Sequence, residues 1–216
     1  MKERAARHAA LADVARLAVV DELALGDRSP KELQASVGLP SNLLAHHLKV
    51  LEDAGMVARR RSEGDRRRTY LTLADASALE GPMRSEIPVG RVLFVCSANS
   101  ARSQLAAALW ARASDVPVVS AGTRPAKQIA KGATSVAKRH SLALVSATPQ
   151  QFSDVAGQDD FVVAVCDNAY EELGSSSALH WSIPDPVSQG DDAAFDTAYA
   201  ELDRRITTLT PWLIAS

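Results

Sequence analysis

Apolar residues near the start of the chain recur at helical spacing: Leu11, Val14, Leu17 or Ala18 and Leu25 fall on one face, and Gly26 with Asp27 closes the segment. Ser29, Pro30 and Glu32 supply an N-cap, a first-turn proline and the reciprocal Glu of a capping box, which predicts a short helix ending near Gly38. A further helix is predicted from Pro40 or Ser41 to Gly55, with Leu44, Leu48 and Leu51 on one face. The period then changes from 3.6 to 2. MVARRR and RTYLTL alternate like two strands, joined by the turn residues Glu63, Gly64 and Asp65.

Helix, short helix, helix, hairpin is the order of a winged helix-turn-helix, an α+β domain, and it is assigned to residues 1–80. From Asp75 to Arg91 the helical period is lost and Gly81, Pro82, Pro88 and Gly90 accumulate, so residues 81–90 are expected to link two independently folded units. Over residues 91–216 strand and helix patterns alternate: RVLFVC, QLAAALWARA, VPVVSAG, KGATSVAKRH, FVVAVC and a last helix over Ala193 to Leu209. Such alternation predicts an α/β domain with a parallel sheet.

Composition narrows the classes. At 216 residues and 46% apolar content the chain can bury a core in each unit. The apolar run near Leu17 to Val20 is flanked by Asp13, Arg16 and Asp21, far short of the roughly 18 residues of a membrane span, so no signal peptide, anchor or membrane partner is expected. Two cysteines, Cys96 and Cys166, make no disulfide framework, which fits a reducing cytoplasm. Charge is unevenly spread: before Ser85 there are 14 basic and 12 acidic residues, and after it 10 and 14. Six arginines, Arg59, Arg60, Arg61, Arg66, Arg67 and Arg68, face only Glu63 and Asp65 along the predicted hairpin, a density suited to a polyanion.

In a helix-turn-helix the second helix enters the major groove, and here its leading residues are Ser41, Asn42, Ala45, His46 and Lys49. Asn pairs bidentately with adenine, Ser and His bond bases or phosphate, and the hairpin arginines would track the backbone or a minor groove. His46 and His47 are sequence neighbours about 100° apart on a helix, so they do not chelate jointly and no metal site is expected. The segment KELQASVGLPSNLLAHHLKVLEDAGMVARRRSEGDRRRTYLTL resembles the arsenical-resistance repressor (ArsR-like) family, most specifically in HHLKVLEDAGMV and the basic wing. The resemblance implies a homodimer bound to operator DNA. Two departures qualify it: KELQASV lacks the thiols of the metal-sensing members, and ADASALEG stands where a long dimerising helix is usual.

The chemistry concentrates in CSANSARS, Cys96 to Ser103, between the apolar strand RVLFV and the helix QLAAALWARA. A loop there turns successive backbone N–H groups inward beside a helix N-terminus, a cradle for a tetrahedral dianion. Cys96 is expected to ionise below the ordinary thiol value of about 8.5 and act as nucleophile. Arg102 offers a planar fork for two equatorial oxygens. Ser103 can bond the thiolate or cap the helix, Asn99 can tie the loop into its curve, and the backbone of Ser97 with the small residues Ala98, Ser100 and Ala101 can approach the ligand. A proton donor must stand opposite the sulfur, and Asp185, held between Pro184 and Pro186, is assigned that role.

VLFVCSANSARSQLAAA, VVSAGT, the strand ending in Cys166 and the DP pair resemble the low-molecular-weight protein tyrosine phosphatase family and its arsenate reductase branch. This implies a four-stranded parallel sheet with a Cys-x5-Arg loop, Cys96 as nucleophile, Arg102 as oxyanion binder and Asp185 as acid. Phosphotyrosine-specific members follow DP with aromatic residues, whereas here the sequence is DPVSQG, so a bare oxyanion, arsenate or phosphate, is expected. Arsenate reduction needs a second thiol to release arsenite from Cys96. Cys166 is the internal candidate, resolving thiol or small buried hydrophobe. The third cysteine of the thioredoxin-coupled enzymes is missing from EELGSSS, which leaves a low-molecular-weight thiol with a redoxin, or direct reduction of a Cys96–Cys166 disulfide, for instance by thioredoxin; the external thiol is preferred and no bound cofactor is expected. Two alternatives stay open: an oxyanion- or redox-sensing regulator without turnover, and a protein tyrosine phosphatase.

Overall fold

The computed structural model describes residues 1–74 and 86–216; the predicted boundary around Pro82 lies outside the described residues. The chain divides into two compact units, the first holding Met1–Ser62 and Arg66–Arg84 and the second Glu63–Asp65 and Ser85–Ser216.

The first unit runs α1 (Lys2–Leu11), α2 (Val14–Leu23), α3 (Pro30–Val37), α4 (Ser41–Asp53), β1 (Val57–Arg61) and β2 (Thr69–Leu73). The single helical segment read through Leu11, Val14 and Leu17 is two helices. Asp13 caps α2, its carboxylate accepting from the Arg16 N–H at 3.1 Å, so the helical register restarts there. The predicted face is consequently wrong: Val14 and Leu17 are 86% and 43% exposed, while Val19, Val20 and Leu23 are buried. The capping box of α3 is present, with Ser29 Oγ accepting from the Glu32 N–H and Glu32 Oε2 from the Ser29 N–H, and Gly38 ends the helix at φ 71°. Leu44, Leu48 and Leu51 of α4 pack with Leu33, Met56, Leu71 and Leu73, each such leucine contributing about 1.5–3 kcal/mol by leaving water. β1 and β2 pair antiparallel from Val57↔Leu73 to Arg61↔Thr69, completing the winged helix-turn-helix order.

The second unit runs β3 (Ile87–Val89), β4 (Arg91–Cys96), α5 (Arg102–Ala113), β5 (Val118–Gly122), α6 (Lys131–Arg139), α7 (Phe152–Val155), β6 (Asp160–Ala164), α8 (Asp167–Leu173), β7 (Leu179–His180), α9 (Pro186–Gln189), α10 (Asp192–Leu209) and β8 (Leu213–Ala215). The main sheet has four parallel strands in the order β5-β4-β6-β7, the α/β architecture expected. Central β4 is buried from Val92 to Cys96, as a parallel strand covered on both faces must be. Phe94 lies against Trp110 and Trp181, ring centroids 6.0 and 5.7 Å apart. Ile87–Val89, read as linker, instead forms β3 and pairs in parallel with β8. Its partner comes from the far end of the chain, which local pattern cannot reveal, and Pro88 is tolerated in a two-stranded ribbon. At the start of β4, Arg91 donates to both carboxylate oxygens of Asp160 on β6, at 2.8 and 2.7 Å. The register pairs Cys96 with Gly122 and Val95 with Ala164, so Cys96 and the residues after β6 emerge at the same sheet edge.

Candidate functional site

The loop from Ser97 to Ala101 joins β4 to α5, and the segment after β5 fixes its curvature. Carbonyls of Cys96, Ser97, Ala98 and Ser100 accept from the N–H groups of Thr123, Arg124, Ala126 and Ala130, at 2.8–3.1 Å. All peptide bonds of the described residues are trans, so each outward carbonyl turns the next N–H to the opposite side. The amides of Ser97, Ala98, Asn99 and Ala101 therefore face the concave side, and that of Asn99 donates to Cys96 Sγ at 3.2 Å. Asn99 turns the chain in the left-handed region at φ 48°. Gly122 allows the loop this close, since a Cβ there would stand 2.6 Å from the Ser97 carbonyl oxygen.

Cys96 Sγ lies 3.1 Å from Ser103 Oγ on the first turn of α5. Asn99 Nδ2 donates to Ser103 Oγ at 2.8 Å and to Ser120 Oγ at 3.0 Å, and its Oδ1 accepts from the Gln150 N–H at 2.8 Å. Arg102, only 6% exposed, donates through Nη1 to the Ile183 carbonyl at 2.8 Å and sets Nη2 3.2 Å from Asp185 Oδ1. Burial opposes the Arg102 charge, but Cys166, Cys96 and Asp185 nearby hold it more firmly protonated than a free arginine. Asp185 caps α9, accepting from the Val187 N–H. Sulfur, inward amides, guanidinium and carboxyl thus converge at one sheet edge, and the arrangement can hold a tetrahedral anion between a nucleophile and an acid.

Cys166 is buried where β6 passes into α8, its Sγ accepting from the Ala169 N–H at 3.4 Å and lying 3.6 Å from Ser97 Oγ. Burial pushes this thiol up from the ordinary value, against the pull of Arg102. Next to it, Asp167 meets His180 Nε2 at 2.9 Å and Tyr170 stacks on the His180 ring. Burial alone would raise the Asp167 carboxyl; hydrogen bonds to it, that from His180 foremost, together outweigh burial and hold the group below the usual carboxylate range.

Sequence reasoning reached Cys96 through Ser103, Cys166 and Asp185, and the structure brings them together. It missed Gln104, Ser120, Gly122, Gln150 and the segment 123–130. The RSQ of α5 sat beside the motif, whereas the others work through backbone groups or lie too far along the chain for spacing to reveal.

In the first unit, Ser41, Asn42, Ala45, His46 and Lys49 are exposed on α4, opposite the buried Leu44, His47, Leu48 and Leu51. Arg59, Arg61, Arg66, Arg67 and Arg68 are exposed on the hairpin and Arg60 is half-buried. Lys49 pairs with Asp53 at 3.1 Å and Arg59 with Glu52 at 2.5 Å.

An α/β sheet whose first strand opens into a Cys-x5-Arg loop, preceded by a winged helix-turn-helix, defines a two-domain protein with one oxyanion-loop domain. Residues 91–215 match the low molecular weight phosphotyrosine protein phosphatase model, and the chain belongs to that family. Residues 11–60 match a helix-turn-helix domain model. Among solved structures, the tyrosine phosphatase Wzb of Escherichia coli K30, in complex with sulphate, is 23% identical, with 57% of this chain and 97% of that chain covered and a TM-score of 0.51. Wzb of Vibrio vulnificus, in complex with benzylphosphonate, is 21% identical over 57% and 98% of the two chains, TM-score 0.50. An arsenate reductase from Archaeoglobus fulgidus is 23% identical over 56% and 98%, TM-score 0.48. At such identities the likeness to the two Wzb structures is one of fold. No curated protein matches the chain in sequence. Among the described residues no helix is long and apolar enough to cross a membrane.

Proposed function

We propose that the second unit reduces arsenate with thiol electrons and that the first binds operator DNA as part of a dimeric regulator of arsenical resistance. The observation carrying the enzymatic reading is the convergence of Cys96 Sγ, bonded by the Asn99 N–H, with the Arg102–Asp185 pair at 3.2 Å.

In this reading the amides of Ser97, Ala98, Asn99 and Ala101 and the Arg102 fork hold the arsenate oxygens. Cys96 Sγ attacks arsenic, an As–O bond breaks, and the departing oxygen leaves as water with a proton from Asp185. A second thiolate then attacks Cys96 Sγ. An S–S bond forms, the S–As bond breaks, and its electron pair stays on arsenic, which departs as arsenite. The resulting disulfide is returned to thiols by a further reduced thiol. An external thiol serves the attack better than Cys166, because burial keeps the Cys166 proton in place at neutral pH.

One feature favours a bare oxyanion over phosphotyrosine. The segment after Asp185 is PVSQ, with Val187 44% exposed and no aromatic ring to sandwich a substrate. Consumption of a small thiol with a redoxin is expected to depend on arsenate and to vanish in Cys96→Ser. Phosphotyrosine hydrolysis without any arsenate-dependent consumption would move the assignment to a phosphatase.

For the first unit the support is the exposed row Ser41, Asn42, Ala45, His46 and Lys49 with the hairpin arginines.

A further inference from the structure

We infer that Gln104 is a positioning residue for the Cys96 nucleophile: it fixes the orientation of the Asn99 amide and thereby commits the Ser103 hydroxyl proton to the Cys96 sulfur. This rests on Cys96 being the nucleophile, whichever oxyanion it attacks.

The directions of the bonds follow from two backbone groups that have no choice. The Gln150 N–H can only donate, so the Asn99 side-chain atom 2.8 Å from it is Oδ1. The Asn99 carbonyl can only accept, so Gln104 presents its NH2 end, with Nε2 3.2 Å from that carbonyl and 3.1 Å from Oδ1. Asn99 Oδ1 thus receives two donors, which turns Nδ2 toward Ser103 Oγ at 2.8 Å and Ser120 Oγ at 3.0 Å. Having accepted from an N–H, the Ser103 hydroxyl keeps its own proton to give, and Cys96 Sγ lies 3.1 Å away.

An undirected hydroxyl could accept from a protonated sulfur as readily as it donates to an anionic one. Here the Asn99 amide occupies one of the hydroxyl's two lone pairs and polarises its O–H, which biases the hydroxyl toward donating to sulfur and so stabilises the anion. Asn99, Ser103, Gln104 and Ser120 are fully buried, so water does not scramble the chain of bonds. Packing does not explain a glutamine at position 104. Among the described residues its Oε1 has no hydrogen-bond partner, and a methionine would fill the same space without a buried acceptor. The donor end is therefore what the site uses. The charged and titratable groups around the sulfur, Arg102 at the start of α5, Cys166 before α8 and Asp185 before α9, are left untouched by a change at Gln104.

The test measures the iodoacetamide alkylation rate of the full chain against pH, read by mass on the Cys96 peptide, together with kcat/KM for p-nitrophenyl phosphate over the same range. Gln104→Met is expected to move the acid limb of both profiles up by about half to one pH unit, roughly three- to tenfold in rate on the limb, while the alkaline plateau is kept. Ser103→Ala is expected to move the limb likewise, and Gln104→Met in that background to add nothing. A limb that stays in place, a loss equal at every pH, or an undiminished effect of Gln104→Met in the Ser103→Ala background overturns the role. Should Gln104→Met not fold, Gln104→Leu carries the same expectation, and an unmoved limb in Ser103→Ala alone overturns the proposal. Turnover retained by Cys96→Ser would instead mark failure of the nucleophile reading; an inactive Cys96→Ser with an unmoved Gln104→Met limb isolates the failure to Gln104.

Discussion

Asp185 Oδ1 stands 3.2 Å from Arg102 Nη2, so the candidate acid and the candidate oxyanion binder form one ion pair at the mouth of the loop. A dianion seated on the guanidinium would stand against the same carboxyl. For Asp185→Asn, p-nitrophenyl phosphate cleavage is expected to fall by about 10²-fold or more, with phosphate still inhibiting as a competitor. Unchanged cleavage removes Asp185 from the acid role.

Cys166→Ser separates the two routes of electron delivery. Since burial raises the Cys166 thiol, arsenate reduction supported by a small thiol and a redoxin is expected to continue at a rate close to that of the parent chain. Loss of all reduction, with p-nitrophenyl phosphate cleavage retained, would identify Cys166 as the resolving thiol.

On the hairpin, Arg67→Ala or Arg68→Ala is expected to weaken DNA binding and to lower the slope of log K against log salt by about one, because one phosphate fewer is neutralised and its counterion is no longer released. A slope that does not change would make the wing a solvated hairpin.

Acid stability follows from the pair that pins β4 to β6. Burial works against the Asp160 carboxylate, but two hydrogen bonds from Arg91 prevail and hold it below the usual range. With the folded value depressed, the contribution is complete above the unfolded value of about 3.9 and disappears as pH falls through the folded one. Arg91 is partly exposed, so screening limits the contribution to about 1 kcal/mol. Urea melts of Asp160→Asn should therefore show that loss at pH 7 and approach the parent curve as pH falls below the unfolded value of about 3.9. An equal deficit at both pH values contradicts the ion-pair account.

The sequence made the second unit legible because its information is local. A buried parallel strand reads as a continuous apolar run, and a Cys-x5-Arg loop is contiguous, so RVLFVC and CSANSARS locate the sheet edge and the nucleophile together. What holds the loop in shape is not contiguous. Gly122 is defined by the approach of the Ser97 carbonyl, and Gln150 contributes only a backbone N–H, a group every residue but proline possesses. In the first unit, the capping box of Ser29 and Glu32 announced α3, yet Asp13, an equally good cap, was read as a flank to an apolar run. A periodic template spanning Leu11 and Val14 merged two helices whose axes restart at that carboxylate. β3 failed for the opposite reason: three residues with a proline become a strand only because Leu213–Ala215 returns to pair with them.

The central claim is a sulfur anion at Cys96 held by inward amides beneath Arg102, and alkylation at neutral pH with and without arsenate tests it most directly. Iodoacetamide is expected to label Cys96 ahead of Cys166, and saturating arsenate or phosphate to protect it. A Cys96 that stays unlabelled at neutral pH, or one whose labelling rate ignores both oxyanions, would contradict the account.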